Sequence, residues 1–238
     1  MDSATATKED IEFYGLRAYR PALTDSPVIG FHVRREGSSS MVYKRAFDVI
    51  VALGLIVGLF SWMYPILYIL IKLSSRGPVL FIQKRSGLNG TIFNCFKFRT
   101  MYVNQYADSV GAGLADDRIT PIGKWLRKTC LDELPQVFNV LIGEMSIVGP
   151  RPHMMLHHHQ FSKLLPDYEH RHTVKPGITG LSQIRGFHGS IMDFHCIYAR
   201  TKIDLFYIKK ANLRLDIFIL FKTIGVVLGP KNPRRGNI

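Results

Sequence analysis

Residues 127–152 carry the reading of this chain: Arg127-Lys128-Thr129-Cys130-Leu131-Asp132-Glu133-Leu134-Pro135-Gln136, an apolar stripe, then Met145-Ser146-Ile147-Val148-Gly149-Pro150-Arg151-Pro152. After the two acids, Leu134, Val137, Phe138, Leu141 and Ile142 recur at helical spacing, so one face is built for burial. Pro135 is tolerated only in a first turn. The pattern therefore predicts a helix beginning at about Asp132 and running to Gly143. Two carboxylates would then sit where unpaired amides and the positive end of a helix dipole converge, a place that also suits phosphate. With Arg127 nearby, this suggests phosphoryl chemistry with a divalent metal. From the pair alone, an ordinary acidic cap is the commoner explanation.

The rest of the composition narrows the class. The 238 residues suffice for one good core or one domain with appendages, and 47% hydrophobic content excludes a wholly disordered chain. A net charge of +13 implies an anionic partner: membrane surface, nucleic acid or phosphorylated substrate. Cys95, Cys130 and Cys196 show neither metal spacing nor a disulfide framework, which fits a reducing, cytosolic face. No secretory signal opens the sequence, and residues 1–43 read as a polar, mobile tail.

From Val49 to Ile71 there is no charged residue, a run of 23. As a straight helix it would measure roughly 35 Å, enough to cross a hydrocarbon core. Pro65 in its interior favours a kink, and basic residues flank both ends: Lys44 and Arg45 before, Lys72 and Arg76 after. The positive-inside rule expects the excess on one side. A helix that enters, bends at Pro65 and returns to the same face satisfies both clusters.

Beyond it, Val79–Gln83 and Thr91–Arg99, separated by Gly87-Leu88-Asn89-Gly90, predict a small antiparallel pair. Lys97 and Arg99 would project from one face, as phosphate contacts or as a solvated edge. Tyr102 to Ala115 is weakly patterned and reads as a loop over a site. Asp116 to Pro121 is turn chemistry preceding a helix with Trp125, Leu126 and Arg127; Arg118 is a candidate phosphate clamp. Prolines on both sides of Arg151 limit where it points, which suits anion recognition. His153 and His157 have a zinc-like interval, but no third ligand is apparent in that stretch. Lys175-Pro176-Gly177 is a rigid basic turn. Asp204–Lys210 and Leu213–Leu228 look helical, the latter suited to a membrane interface.

Several of these stretches, in order and at consistent spacing, resemble the bacterial sugar transferase family. They are Lys44-Arg45-x-Phe47-Asp48, Gly77-Pro78-x-x-Phe81-x-Gln83-x-Arg85-x-Gly87, Lys97-Phe98-Arg99-Thr100-Met101, Leu131–Gln136, Met145–Pro152 and Lys175–Gly180. That family comprises the monotopic polyprenyl-phosphate sugar-1-phosphate transferases, and the resemblance covers about residues 44–228. It implies an α+β, mainly helical protein. Residues 1–43 would be a tail, 44–76 a re-entrant membrane helix hairpin, and 77–238 a catalytic domain with a small antiparallel sheet, interfacial amphipathic helices and a basic C-terminal tail.

The implied reaction transfers a hexose-1-phosphate from a UDP-sugar, UDP-glucose or UDP-galactose, to undecaprenyl phosphate, releasing UMP and initiating exopolysaccharide, capsule or O-antigen synthesis. The implied location is the cytoplasmic face of the inner membrane. Carried over residue by residue, Asp132 is the nucleophile of a phosphosugar-aspartyl intermediate, Glu133 binds Mg²⁺ and Arg127 steadies phosphate charge. Lys97, Arg99, Arg118, Arg151 and Lys175 are substrate-binding candidates, and Pro65 breaks the membrane helix. Membrane lipids are implied partners, nucleic acid is not, and a homodimer is compatible with this form. Within the family, Gly149-Pro150-Arg151-Pro152-His153-x-x-x-His157 most resembles the colanic-acid-initiating type. Tyr64-Pro65 departs from the more usual Ser-Pro, and Gly186–Ser190 departs from the usual Arg-Gly-Glu-Thr. The resemblance implies the minimal catalytic form of the family, without the multi-span amino-terminal region of its larger members. The competing class is a non-catalytic, membrane-anchored basic scaffold.

Overall fold

The computed structural model describes residues 38–104, 116–187 and 194–229. The proposed tail up to residue 37, most of the 102–115 loop, residues 188–193, which include the end of the departing motif, and the basic tail from 230 onward lie outside the described residues.

The apolar run forms one long helical path. α1 (Ser38–Leu55) passes through a π-helical segment (Ile56–Phe60) into α2 (Ser61–Ser74). It begins at Ser38 rather than near residue 44. Ser40–Ser74, 35 residues, is the one helix among the described residues long and apolar enough to cross a membrane. The backbone irregularity falls at Ile56–Phe60, ahead of Pro65, which stays inside α2. Widening to i→i+5 bonding displaces carbonyls from the ladder. The Ser61 hydroxyl donates to the Val57 carbonyl at 2.7 Å and the Trp62 indole to the Gly58 carbonyl at 2.9 Å. Such satisfaction is what lipid surroundings demand of irregular backbone.

Both ends of this path are fastened to the same body. Arg45 donates to the Val140 and Leu141 carbonyls at 2.6 and 2.7 Å, completing the C-terminus of a body helix. Lys44 meets Asp216 at 2.8 Å, and buried Asp48 accepts from the Ile147 amide and Ser146 hydroxyl, each at 3.0 Å. At the far end, the Arg99 guanidinium donates to the Ser75 and Arg76 carbonyls at 2.7 and 3.1 Å. Met63, Leu67 and Ile71, four residues apart, are buried with Val79, Phe98 and Leu126, whereas Ile50, Val57, Trp62, Ile66, Ile69 and Leu73 are exposed. An apolar face this extensive marks a lipid or partner surface.

Among the described residues the body is mainly helical with two small sheets. β1 (Leu80–Ser86) and β2 (Ile92–Phe98) are antiparallel, with Phe81 opposite Lys97 and Gln83 opposite Cys95. α3 (Pro121–Thr129) starts with Pro121 in its first turn and the Thr120 hydroxyl accepting from the Gly123 amide. It stops at Cys130, which is left-handed at φ 58°. The expected helix from Asp132 is instead two pieces: a 3₁₀ turn (Leu131–Glu133) and α4 (Gln136–Ile142), closed by Gly143 at φ 93°. Pro135 has no amide to bond back, so the turn before it closes separately, through Glu133 to Cys130 and Leu134 to Leu131.

β3 (Ser146–Val148) lies parallel to β4 (Gly177–Thr179), a pairing that the sequence reading did not contain. Their backbones touch: a Cβ on Gly177 would stand 2.1 Å from the Gly149 nitrogen. α5 (Met155–Leu164), a 3₁₀ segment (Tyr168–Thr173), α6 (Leu181–Ile184), α7 (Phe194–Lys210) and α8 (Leu213–Leu228) complete the described residues. The main core gathers Val140, Met145, Val148, Leu205, Tyr207 and Ile219 around Ala52 of α1.

Candidate active site at the turn between α3 and α4

The acid pair sits where α3 gives way to α4. Leu131 and Leu134, on either side of it, pack into the cluster that holds Leu59, Phe60 and Tyr64 of the long helix. Asp132 and Glu133 are thereby held beside the irregular part of the membrane-type helix.

Cations converge on this turn from three directions. Lys97 comes from β2, and its ammonium meets Glu133 Oε1 at 2.7 Å. Arg151 comes from the proline-flanked loop after β3 and forks onto Glu133, with Nη1 reaching Oε2 at 2.7 Å and Nη2 reaching Oε1. Arg127 comes from α3, with its Nε on the Thr100 hydroxyl at 2.8 Å. That reach depends on Gly123, one turn earlier, where any Cβ would lie 1.9 Å from the Thr100 carbonyl oxygen. α3 therefore packs directly on the β2 exit. Burial lowers the Arg127 guanidinium, while Asp132 is the strongest influence supporting its charge.

The two carboxylates end in opposite electrostatic states. Burial disfavours charge on Glu133, but Arg151 and Lys97 overcome that and hold it well below the usual carboxylate range. Burial pushes the Asp132 carboxyl up to about 6; Lys97 pulls it down, and ionised Glu133 pushes it further up. Among the described residues Asp132 accepts no hydrogen bond. Two adjacent acids whose environments drive them apart is the pattern of a site that assigns them different tasks.

A fourth cation was absent from the expected site. Arg85 is buried on β1, and its guanidinium, lowered by burial, feels Arg151, Glu133 and Asp132. It donates to the Gln83 side chain at 2.7 Å and to the Pro152 carbonyl, bracing the arginine loop. Its signal was the period-two pairing of Gln83 with Arg85, quoted in the motif but given no task. Four cations face two carboxylates here, and the surplus suits a diphosphate.

The family model described as bacterial sugar transferase matches residues 39–230. The chain belongs to the bacterial sugar transferase family. It is similar to the UDP-glucose:undecaprenyl-phosphate glucose-1-phosphate transferase of Klebsiella pneumoniae, 43% identical over 85% of this chain and 42% of that protein. The protein of the same name from Xanthomonas campestris pv. campestris is 45% identical over 80% of this chain and 40% of its own length. A UDP-N-acetylgalactosamine-undecaprenyl-phosphate N-acetylgalactosaminephosphotransferase of Aeromonas hydrophila is 42% identical over 78% and 43%. The chain spans about two fifths of the length of these relatives.

Within this family member, the remaining predicted site residues divide. Arg118 lies toward the Arg127 side, its guanidinium on the Asp116 carboxylate at 2.8 and 2.6 Å. Arg99, just past the end of β2, turns to the Ser75–Arg76 backbone, so it secures the long helix rather than the acid pair. Lys175 stands near Gly143 and Arg45, at the opposite end of α4 from Asp132. His153 is buried, its Nδ1 on the Tyr168 hydroxyl at 2.5 Å and near Arg171 at 3.2 Å, and burial holds the ring well below its usual titration. Arg171, paired with buried Asp204 at 2.8 and 3.0 Å, donates to the Arg151 carbonyl at 2.9 Å and so fixes the loop's backbone.

Proposed function

We propose that the chain transfers a hexose-1-phosphate from a UDP-sugar to undecaprenyl phosphate, releasing UMP, at the cytoplasmic face of the inner membrane. The observation that carries this reading is the free, high-titrating Asp132 beside a charge-locked Glu133, ringed by Lys97, Arg127, Arg151 and Arg85. The names of the similar proteins support the reaction class. They divide on the sugar, and UDP-glucose or UDP-galactose is the donor proposed here.

In the mechanism, an Asp132 oxygen attacks the phosphorus that bears the sugar, and the bond from that phosphorus to the bridging oxygen breaks, so UMP leaves. A phosphate oxygen of the lipid then attacks the same phosphorus and Asp132 departs unchanged. A carboxylate nucleophile divides transfer between two bulky substrates into two steps. Arg127 and Arg151 stand where negative charge accumulates on phosphoryl oxygens. Glu133, by holding Arg151 and Lys97, keeps those donors in place.

The donor set fits Mg²⁺, because both acids supply hard oxygen ligands. Glu133 Oε1 is occupied by Lys97 and Arg151, whereas Oε2 takes only Arg151 and keeps acceptor capacity. Glu133 is thus the residue that would hold the ion, which supplies charge neutralisation of the diphosphate when bound. The topology is proposed as re-entrant. Support comes from the attachment of both helix ends to one body, which a straight span across the bilayer would not permit.

A UMP-release assay over a panel of UDP-sugars with undecaprenyl phosphate tests the function. Lipid-dependent UMP release from UDP-glucose or UDP-galactose is expected. A membrane-bound protein that releases no UMP from any donor would favour the scaffold reading.

A further inference from the structure

Away from the carboxylate pair, three ligand-type side chains meet beneath the arginine loop. Glu169 and His172 are three apart in the 3₁₀ segment, where such positions eclipse and face the same way. They face His158 of α5. The His172 Nδ1 lies 3.2 Å from Glu169 Oε2 and the His158 Nε2 lies 3.7 Å from Glu169 Oε1. All three ligand atoms fall within 4.8 Å of one another.

We propose that His158, Glu169 and His172 bind a transition-metal dication of the zinc class, with one position left to water. Ligands at about 2.1 Å in a tetrahedron stand roughly 3.4 Å apart, so the group needs only a small closure. His172 is oriented from behind: its other nitrogen, Nε2, meets the Ser86 hydroxyl at 3.2 Å, leaving Nδ1 for a ligand. Such backing is the usual support of a metal-bound imidazole. Two imidazoles and one carboxylate select zinc-class ions over Mg²⁺. The site differs from the His153–His157 interval weighed in the sequence; His153 is occupied by Tyr168 and Arg171. A bound metal would tie α5 to the segment whose Arg171 holds the Arg151 carbonyl.

The test titrates Zn²⁺ and Co²⁺ into the purified full chain in detergent with Mg²⁺ present throughout, reading stoichiometry, melting temperature and Co²⁺ visible absorption. One equivalent bound, a raised melting temperature and absorption typical of low-coordinate cobalt are expected. Glu169→Gln changes an exposed side chain, so the fold is kept, and it should weaken binding by roughly tenfold or more, as should His158→Ala. His159→Ala, on the same helix outside the group, should bind as the parent does. Absence of stoichiometric binding, or parental affinity in both Glu169→Gln and His158→Ala, would overturn the proposal.

Discussion

Asp132 and Glu133 are neighbours of nearly the same chemistry, and only their surroundings separate them. Glu133 is locked in its charged form by a forked arginine and a lysine; Asp132 has no donor among the described residues and titrates near 6. Its folded-state pKa is raised, so the stability it contributes is present below its ordinary value of 3.8 and is lost as pH rises through about 6. In Mg²⁺-free buffer at pH 7.5, Asp132→Asn should therefore be more stable than the parent, by on the order of 2 kcal/mol, with the gain vanishing toward pH 4. Denaturant melts at the two pH values check this. The same variant should lose UMP release by roughly 10³-fold or more while still binding membranes. In the parent, release should fall as pH drops through about 6, because the protonated acid cannot attack. Arg151→Lys replaces a fork with a single point charge and should lower turnover by about 10²-fold.

At the level of elements, legibility followed local periodicity. Thr120-Pro121 announced α3, and alternation around Gly87–Gly90 announced the hairpin, because both signals lie within a few residues. The β3–β4 pair has strands of three residues that meet across a long sequence gap, so no alternation exists to count. Arg85 has no task in the sequence because the apolar run that marks the strand stops at Gln83; only the fold extends β1 to Ser86 and buries the arginine. Lys175 and Arg99 have the right chemistry for phosphate, yet topology sends them to the base and the end of the long helix. Pro65 pointed to an irregular helix, but the register change lies at Ile56–Phe60, where Ser61 and Trp62 can cover the freed carbonyls. Single cysteines placed at Ser40 and Arg76 should be labelled by an impermeant thiol reagent from the same side of the membrane. Labelling from opposite sides would restore a simple span.

The whole molecule couples a long, apolar, largely exposed helix to a charged site through shared cores, and buried ion pairs hold that site in place. Arg171–Asp204 is almost wholly buried and positions the Arg151 loop. Asp204→Asn leaves a charged guanidinium without its counter-ion and should cost about 3–5 kcal/mol, read as a lowered melting temperature. Burial holds His153, His157, His158 and His172 below their usual titration, so the stability they contribute is present above pH 6.5 and lost as pH falls below it. The melting temperature should fall steeply from pH 7 to pH 5, and less steeply in His153→Gln.

The central claim concerns a bond to Asp132. The chain, with Mg²⁺ and without lipid acceptor, is incubated with UDP-glucose or UDP-galactose labelled at the sugar-bearing phosphate, then digested and mapped. Label on the peptide containing Asp132, discharged on adding undecaprenyl phosphate, is the predicted result. Lipid-dependent turnover with no label on the protein, or with label on another residue, would contradict it.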